Sequence, residues 1–198
     1  MKKLLYFACL MPYFACAMSL KDACLRDDVL RVQALLKSDK NILHSKNDKD
    51  GFSPIHYAAG ECSLKVLRLL LDIQPDVINE PDIRGNIPFI HLFLGIFSWR
   101  ERVANQKKLD HYMKFAVEMR IVQKLGPTVK EQEQINMQQF ENYKKAIDLF
   151  ISKKANLTIA NSYGKKWIDI PGLDPELSAY AHRQIQLLES AHDKISLQ

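Results

Sequence analysis

Asp48-Lys49-Asp50-Gly51-Phe52-Ser53-Pro54-Ile55-His56-Tyr57-Ala58-Ala59 is the stretch that decides the fold. Gly51 suits a turn, because a positive φ is cheap only for glycine. Ser53 is placed to cap a helix that Pro54 opens at its first turn. The pattern recurs as Asp82-Ile83-Arg84-Gly85-Asn86-Ile87-Pro88-Phe89-Ile90, with Gly85 in the place of Gly51. It recurs again as Asn161-Ser162-Tyr163-Gly164-Lys165-Lys166-Trp167-Ile168-Asp169. Downstream of Gly51, Leu64 to Leu71 reads as a helix with an apolar stripe. The same stripe lies upstream in Leu30 to Leu36, at the spacing that separates Gly51 from Gly85, with Val66 over Val32 and Leu70 over Leu36. Repetition at a period of about 33 residues predicts a stacked helical array.

These residues resemble the ankyrin repeat family. Ser53-Pro54-Ile55-His56-Tyr57-Ala58 stands where that family has T-P-L-H-x-A. The unit of Gly85 keeps that glycine and Pro88 but has Ile90 in the histidine place, and the unit of Gly164 has Trp167 for the proline and Asp169 for the histidine. The resemblance spans residues 20–97 and 140–180 and implies an all-α, short solenoid of helix-turn-helix repeats. Its units are a degenerate first one at 19–47, one at 48–81, one at 82–160, and a terminal unit with a capping helix at 161–198. It also implies that His56 bridges neighbouring loops, a structural role.

The period breaks once. The span from Gly85 to Gly164 exceeds one unit of about 33 residues by roughly 46. Gly85 to Leu149 exceeds Gly51 to Leu69 by the same amount, so the surplus lies between the two helices of the third unit, at 98–139. Ser98 to Leu125 has no Gly or Pro and carries Leu109, Tyr112, Met113, Ala116 and Met119 at helical spacing. Gly126-Pro127 is a stop signal, and Thr128-Val129-Lys130-Glu131 is a capping-box start. Two extended helices are expected, forming an antiparallel arm of roughly 35 Å.

The N-terminus reads as an address. Lys2 and Lys3 precede the charge-free run Leu4 to Ala17, which ends in Ala15-Cys16-Ala17. This is the layout of a signal peptide over residues 1–17, and the run is short of the roughly 20 residues a spanning helix needs. Export to the periplasm or beyond is expected, with no stable membrane insertion after cleavage; retention through an uncleaved N-terminal segment is the alternative. Cleavage leaves Cys24 and Cys62, and two buried thiols are expected in preference to a disulfide.

The chain has 198 residues and a formal charge of +5. Without residues 1–17 the charge is +3, too weak and scattered to argue for nucleic acid. No Gly-rich phosphate loop, H-E-x-x-H, C-x-x-C or G-x-S-x-G occurs. No catalytic, cofactor-binding or metal-binding residue is therefore expected, and the chain is not read as an enzyme. His182 and His192 are read as surface histidines, and Asp27-Asp28 as solvated capping residues at a turn. The resemblance implies a monomeric protein-interaction module whose hairpin tips and first helices form the binding side. The candidate contacts are Lys49, Asp50, Phe52, Ile83, Arg84, Tyr163 and Lys165. The partner is a protein, bound outside the cytoplasm; the alternatives are a periplasmic accessory that supports another exported protein, or an enzyme whose converging site residues leave no motif in the sequence.

Overall fold

The computed structural model describes residues 19–118, 129–170 and 172–196. The leader at 1–17, the turn at Gly126-Pro127, the start at Thr128 and the side chains of Leu109, Tyr112, Met113, Ala116, Met119 and His192 lie outside the described residues. Seven α-helices are present among them, and no strand. The first unit is α1 (Leu20–Leu25) and α2 (Val29–Ser38); the second is α3 (Pro54–Gly60) and α4 (Leu64–Ile73). The third is α5 (Pro88–Glu118) and α6 (Val129–Ser152), and α7 (Pro175–Ser196) closes the chain. First helices stack in the order α1, α3, α5, second helices in the order α2, α4, α6, and α7 packs on α6. The chain is an all-α solenoid.

The apolar stripes form one continuous core. Val32 and Val66 are fully buried, as are Leu70 and Ile147, and Leu36 nearly so. Phe89 and Phe93 on α5 pack edge-on to each other and against Trp167, with Phe150 of α6 closing over Phe89. Each such side chain contributes about 1.5–3 kcal/mol by leaving water. Trp167 replaces the helix-opening proline of the terminal unit, and a single 3-10 turn, Trp167–Asp169, stands there in place of a first helix. His182 is half-buried, not a surface residue: its ring lies 5.0 Å from that of Trp167, and its Nδ1–H donates to the Ser178 carbonyl at 2.8 Å.

The turns between paired helices explain why the third unit differs. In the first two units the chain reverses through a residue with positive φ, Asp27 at 55° and Cys62 at 57°. The place corresponding to Cys62 in the third unit is Ile96. A β-branched residue there disfavours that backbone, so α5 runs on without reversal for 31 residues. Trp99, which the spacing assigns to the insertion, is buried against Tyr143 and Phe140 at ring distances of 5.6 and 6.3 Å. The arm thus begins beyond Trp99, and its root belongs to the core. Arg100, stacked over Trp99 and Phe140, donates from Nε to Asp174 Oδ2, while Asp174 Oδ1 caps α7 by accepting the Leu177 N–H at 2.9 Å.

Asp27 does more than cap a turn in solvent. Asp28 caps its own helix, accepting the Arg31 N–H at 3.0 Å. Asp27 Oδ1 reaches the next unit and accepts the N–H of Val66, in the first turn of α4, at 2.9 Å. Cys24 and Cys62 are both free and buried, and burial pushes their thiols up to about 12.

Candidate protein-binding surface

Three hairpin tips stand in a row. In each, a glycine N–H donates back across the turn: Gly51 to Asn47 O, Gly85 to Asp82 O, and Gly164 to Asn161 O. All three glycines have positive φ, between 68° and 76°. The closing bonds are Asn47 N–H to Phe52 O, Asp82 N–H to Asn86 O and Asn161 N–H to Lys165 O. Asn47, not Asp48, is therefore the counterpart of Asp82 and Asn161, and the first tip is one residue longer than spacing from the glycine implies. The tips are tied to one another. Ile83 N–H donates to Asp50 O at 3.4 Å, and Ser162 N–H to Arg84 O at 2.8 Å.

The sequence candidates separate into two groups on this row. Lys49, Ile83, Arg84, Tyr163 and Lys165 are exposed, with Ile83 at 63% and Tyr163 at 72%. Large apolar and aromatic surface held on hydrogen-bonded turns is what a protein interface uses as an anchor. Asp50 and Phe52 are half-buried and serve the fold. Asp50 Oδ1 accepts the Phe52 N–H at 3.0 Å. The Phe52 ring packs at 4.4 Å from His91, 5.5 Å from Tyr57 and 5.9 Å from His56. The Phe52 ring is thus held by packing on its neighbours.

Behind the tips, a groove of about 320 Å³ runs between the first helices. Leu25 of α1, Phe52, His56, Tyr57, Gly60 and Glu61 of the second unit, and Leu94, Gly95, Ser98 and Arg102 of α5 line it. Leu94, Ser98 and Arg102 recur at four-residue spacing, so one face of α5 carries the groove wall towards the arm. A larger cleft, about 660 Å³, opens between α2 and α4 around Leu36, Leu43, Leu69 and Ile73. Its lining has no Phe, Tyr or Trp and none of the sequence candidates.

A buried polar cluster sets the shape of the groove. Ser53 donates from N–H and Oγ–H to His56 Nδ1, at 3.1 and 2.8 Å, which leaves the proton on Nε2. Nε2–H donates to the Asn86 carbonyl of the next tip at 3.2 Å. His56 therefore bridges neighbouring loops. Burial, with His91 adding to it, pushes His56 down to about 4. His91 sits one residue past the place where the repeat puts its histidine, and its Nε2–H donates to Asp82 Oδ2 at 2.9 Å. Burial opposes ionisation of Asp82, but hydrogen bonds from His91, from Asn86 and from the Arg84 N–H outweigh it and hold the carboxyl well below the usual range. Asn86 extends the cluster to the third tip by accepting from Asn161 Nδ2 at 2.9 Å.

Sequence reading did not find Asp82, His91, Leu94 or Arg102 as site residues. Asp82 was legible as the head of Asp-x-x-Gly. His91 was masked by counting from the glycine, which puts Ile90 in its place. Among the described residues no group of three His, Cys, Asp or Glu is arranged to hold a metal ion, and no helix is long and apolar enough to cross a membrane.

Residues 20–71 match the family model described as ankyrin repeats (many copies). No curated protein matches the chain. Among solved structures, the chain is similar to one in the structure titled "Bd0816 Predatory Endopeptidase from Bdellovibrio bacteriovorus in complex with immunity protein Bd3460", at 16% identity, over 88% of this chain and 98% of that chain, with a TM-score of 0.35. A likeness that loose carries no weight for fold or function. The family match covers the first unit and most of the second, and the glycine turns, inter-tip bonds and stacked helix pairs run on into the third: the fold is an ankyrin-like repeat solenoid.

Proposed function

We propose that the chain is an exported, monomeric and non-catalytic module that binds a protein partner through its tip row and the groove behind it. Ankyrin repeats mediate protein–protein interaction and as a family are generally not catalytic. The observation that carries the reading here is the pairing of exposed Ile83 and Tyr163 on tied turns with a groove walled by Leu25, Tyr57 and Leu94. Lys49, Arg84 and Lys165 frame the row and supply charge that steers and orients a partner more than it adds affinity. The export reading rests on the sequence of residues 1–17.

Two experiments test this. Mass measurement of the chain recovered from periplasm or medium should find cleavage near Met18; only intact chain held in the membrane would remove the export reading. Pull-downs from periplasmic and host extracts identify the partner and its compartment. With that partner in hand, Tyr163→Ala, Arg84→Ala and Leu94→Glu should each weaken binding about tenfold or more, with helical circular dichroism unchanged. Full binding by all three variants would place the interface elsewhere, with the arm as the next surface to test.

A further inference from the structure

We propose that the groove behind the tips seats an acidic segment of the protein partner, with one large apolar side chain between Tyr57 and Leu94 and carboxylates held by Lys21 at one end and Arg102 at the other. This gives the partner a chemistry and rests on the binding reading above.

The middle of the groove is apolar and open. Leu25, Tyr57 and Leu94 wall it, and Leu94 is 39% exposed although it is a large apolar residue. Gly60 and Gly95 meet there through their backbones, and neither puts a side chain into the space. At about 320 Å³ the groove is small for a cofactor or metabolite site, whose range is about 300–1,000 Å³. It does not end at Tyr57. A second groove, about 260 Å³, lies between the start of α1 and the first tip, lined by Ser19, Lys21, Ser45 and Asn47 among others. The two share Phe52 and Tyr57, so they form one track from α1 across α3 to α5. A track of that kind fits a length of chain with a side chain set into it.

Unpaired cations stand at both ends of this track. Lys21 lies over the Tyr57 ring, 4.9 Å from its centroid. Arg102, exposed on α5, ends the row of Leu94, Ser98 and Arg102. Among the described residues neither belongs to an ion pair. Lys46, the other cation of the smaller groove, is taken up by Glu80 at 3.4 Å and by the Pro81 carbonyl at 3.0 Å. Among the described lining residues of both grooves, Glu61 is the one carboxylate. Asp82 lies buried below, its oxygens accepting from His91, Asn86 and the Arg84 N–H. Asp50 Oδ1 is occupied by the Phe52 N–H. The tips add Lys49, Arg84 and Lys165 against Asp48, so the excess stays positive. Charge of opposite sign across an interface orients a partner and fixes its register. Two cations separated by apolar surface suit carboxylates that flank an apolar side chain; a nucleic acid calls for a run of cations along its phosphates.

Fluorescence anisotropy of the chain with a short labelled peptide, one Trp between two runs of Glu, tests this. Two counterpart peptides replace every Glu by Lys, or the Trp by Ala. The Glu–Trp peptide should bind at least about tenfold more tightly than either counterpart, and more weakly as salt rises. Lys21→Glu and Arg102→Glu should each weaken it about tenfold, and Glu61→Gln should tighten it about threefold, with circular dichroism unchanged. Lys107→Glu makes the same change in net charge off the groove row and should alter binding by no more than about twofold. No measurable binding, equal binding of the Glu and Lys peptides, or equal harm from Lys107→Glu and Arg102→Glu would overturn the acidic segment. So would equally tight binding of a single-stranded DNA oligonucleotide, since charge alone would then suffice. The partner from the pull-down separates the two readings. If Tyr163→Ala and Leu94→Glu weaken it while Lys21→Glu and Arg102→Glu do not, the binding surface stands and the acidic segment falls. If the peptide behaves as expected but the partner ignores every tip and groove variant, the groove keeps its preference and that partner's binding site lies elsewhere.

Discussion

Gly95 of α5 passes the carbonyl of Gly60 so closely that a Cβ on residue 95 would stand 2.0 Å from that oxygen. The contact lets α5 cross the C-terminal end of α3 and continue into the arm. It also forms the floor of the groove.

Gly95→Ala should therefore be among the most damaging single changes in the chain. The obstacle is backbone, so no side chain can swing away, and overpacking of this kind costs about 3 kcal/mol or more. Gly164→Ala is the comparison: nothing lies within 4 Å of its Cβ, so only the strain of φ at +72° applies, about 1 kcal/mol. Urea unfolding monitored by circular dichroism separates them. Equal losses in the two variants would mean that the helix crossing is looser than described.

The bond from the Val66 N–H to Asp27 predicts a graded series. Asp27→Asn keeps the acceptor and tolerates the positive φ, so it should be nearly neutral. Asp27→Gly keeps only the backbone freedom and should lose about 1 kcal/mol, the value of a helix-cap acceptor. Asp27→Ala loses both and should fall further. Melting temperatures in the order Asn, Gly, Ala would support a cap between units; a neutral alanine variant would refute it.

Stability should fall in acid over a definite window. His56 is depressed to about 4 from an ordinary value near 6.5. A depressed histidine stabilises the fold in full above its unfolded value, and that contribution is lost as pH falls from about 6.5 towards 4. The loss amounts to about 3 kcal/mol at most. Asp82 is also depressed, so its contribution disappears only below the ordinary carboxylate value of about 3.9. Denaturant unfolding at pH 7, 5.5 and 4.5 should show the first loss alone. A flat profile across that range would remove His56 as its source.

Shortening the arm should leave a folded protein if the cut respects the buried root. Trp99 and Tyr143 are in the core, and Val103 and Phe140 pack against it. Removal of residues 104–138 with a short glycine-rich turn should give a soluble chain with cooperative melting, since repeat stability resides in the stack interfaces. Removal of 98–139 takes Trp99 as well and should cost an additional 3–5 kcal/mol or so, roughly the value of a large aromatic core truncation. An insoluble product from the smaller deletion would show that the outer arm is needed for folding.

Much of this architecture was legible because each repeat signal is local. Ser53 and Pro54 start a helix whatever surrounds them, and the echo of Val32 and Leu36 in Val66 and Leu70, one period on, reports stacking directly. The candidate contacts were legible in part. Ile83, Arg84 and Tyr163 flank turn glycines, which places them on tips. Phe52 has the same flanking position but packs inward, because His91 from the next unit offers it a ring to pack on.

The sequence by itself determined the all-α repeat, its period, the place of the surplus and the turn residues, since all of these follow from short-range sterics and hydrophobic periodicity. Only the tertiary structure decided which side chains meet across units. Asp27 caps a helix 39 residues away, Asp174 joins Arg100 from 74 residues off, and His91 takes up Asp82 from one step beyond its expected place. The physical reason is common to all three. A buried polar group must find a partner, and which partner lies within about 3 Å depends on the packing of neighbouring helices, which local pattern does not encode.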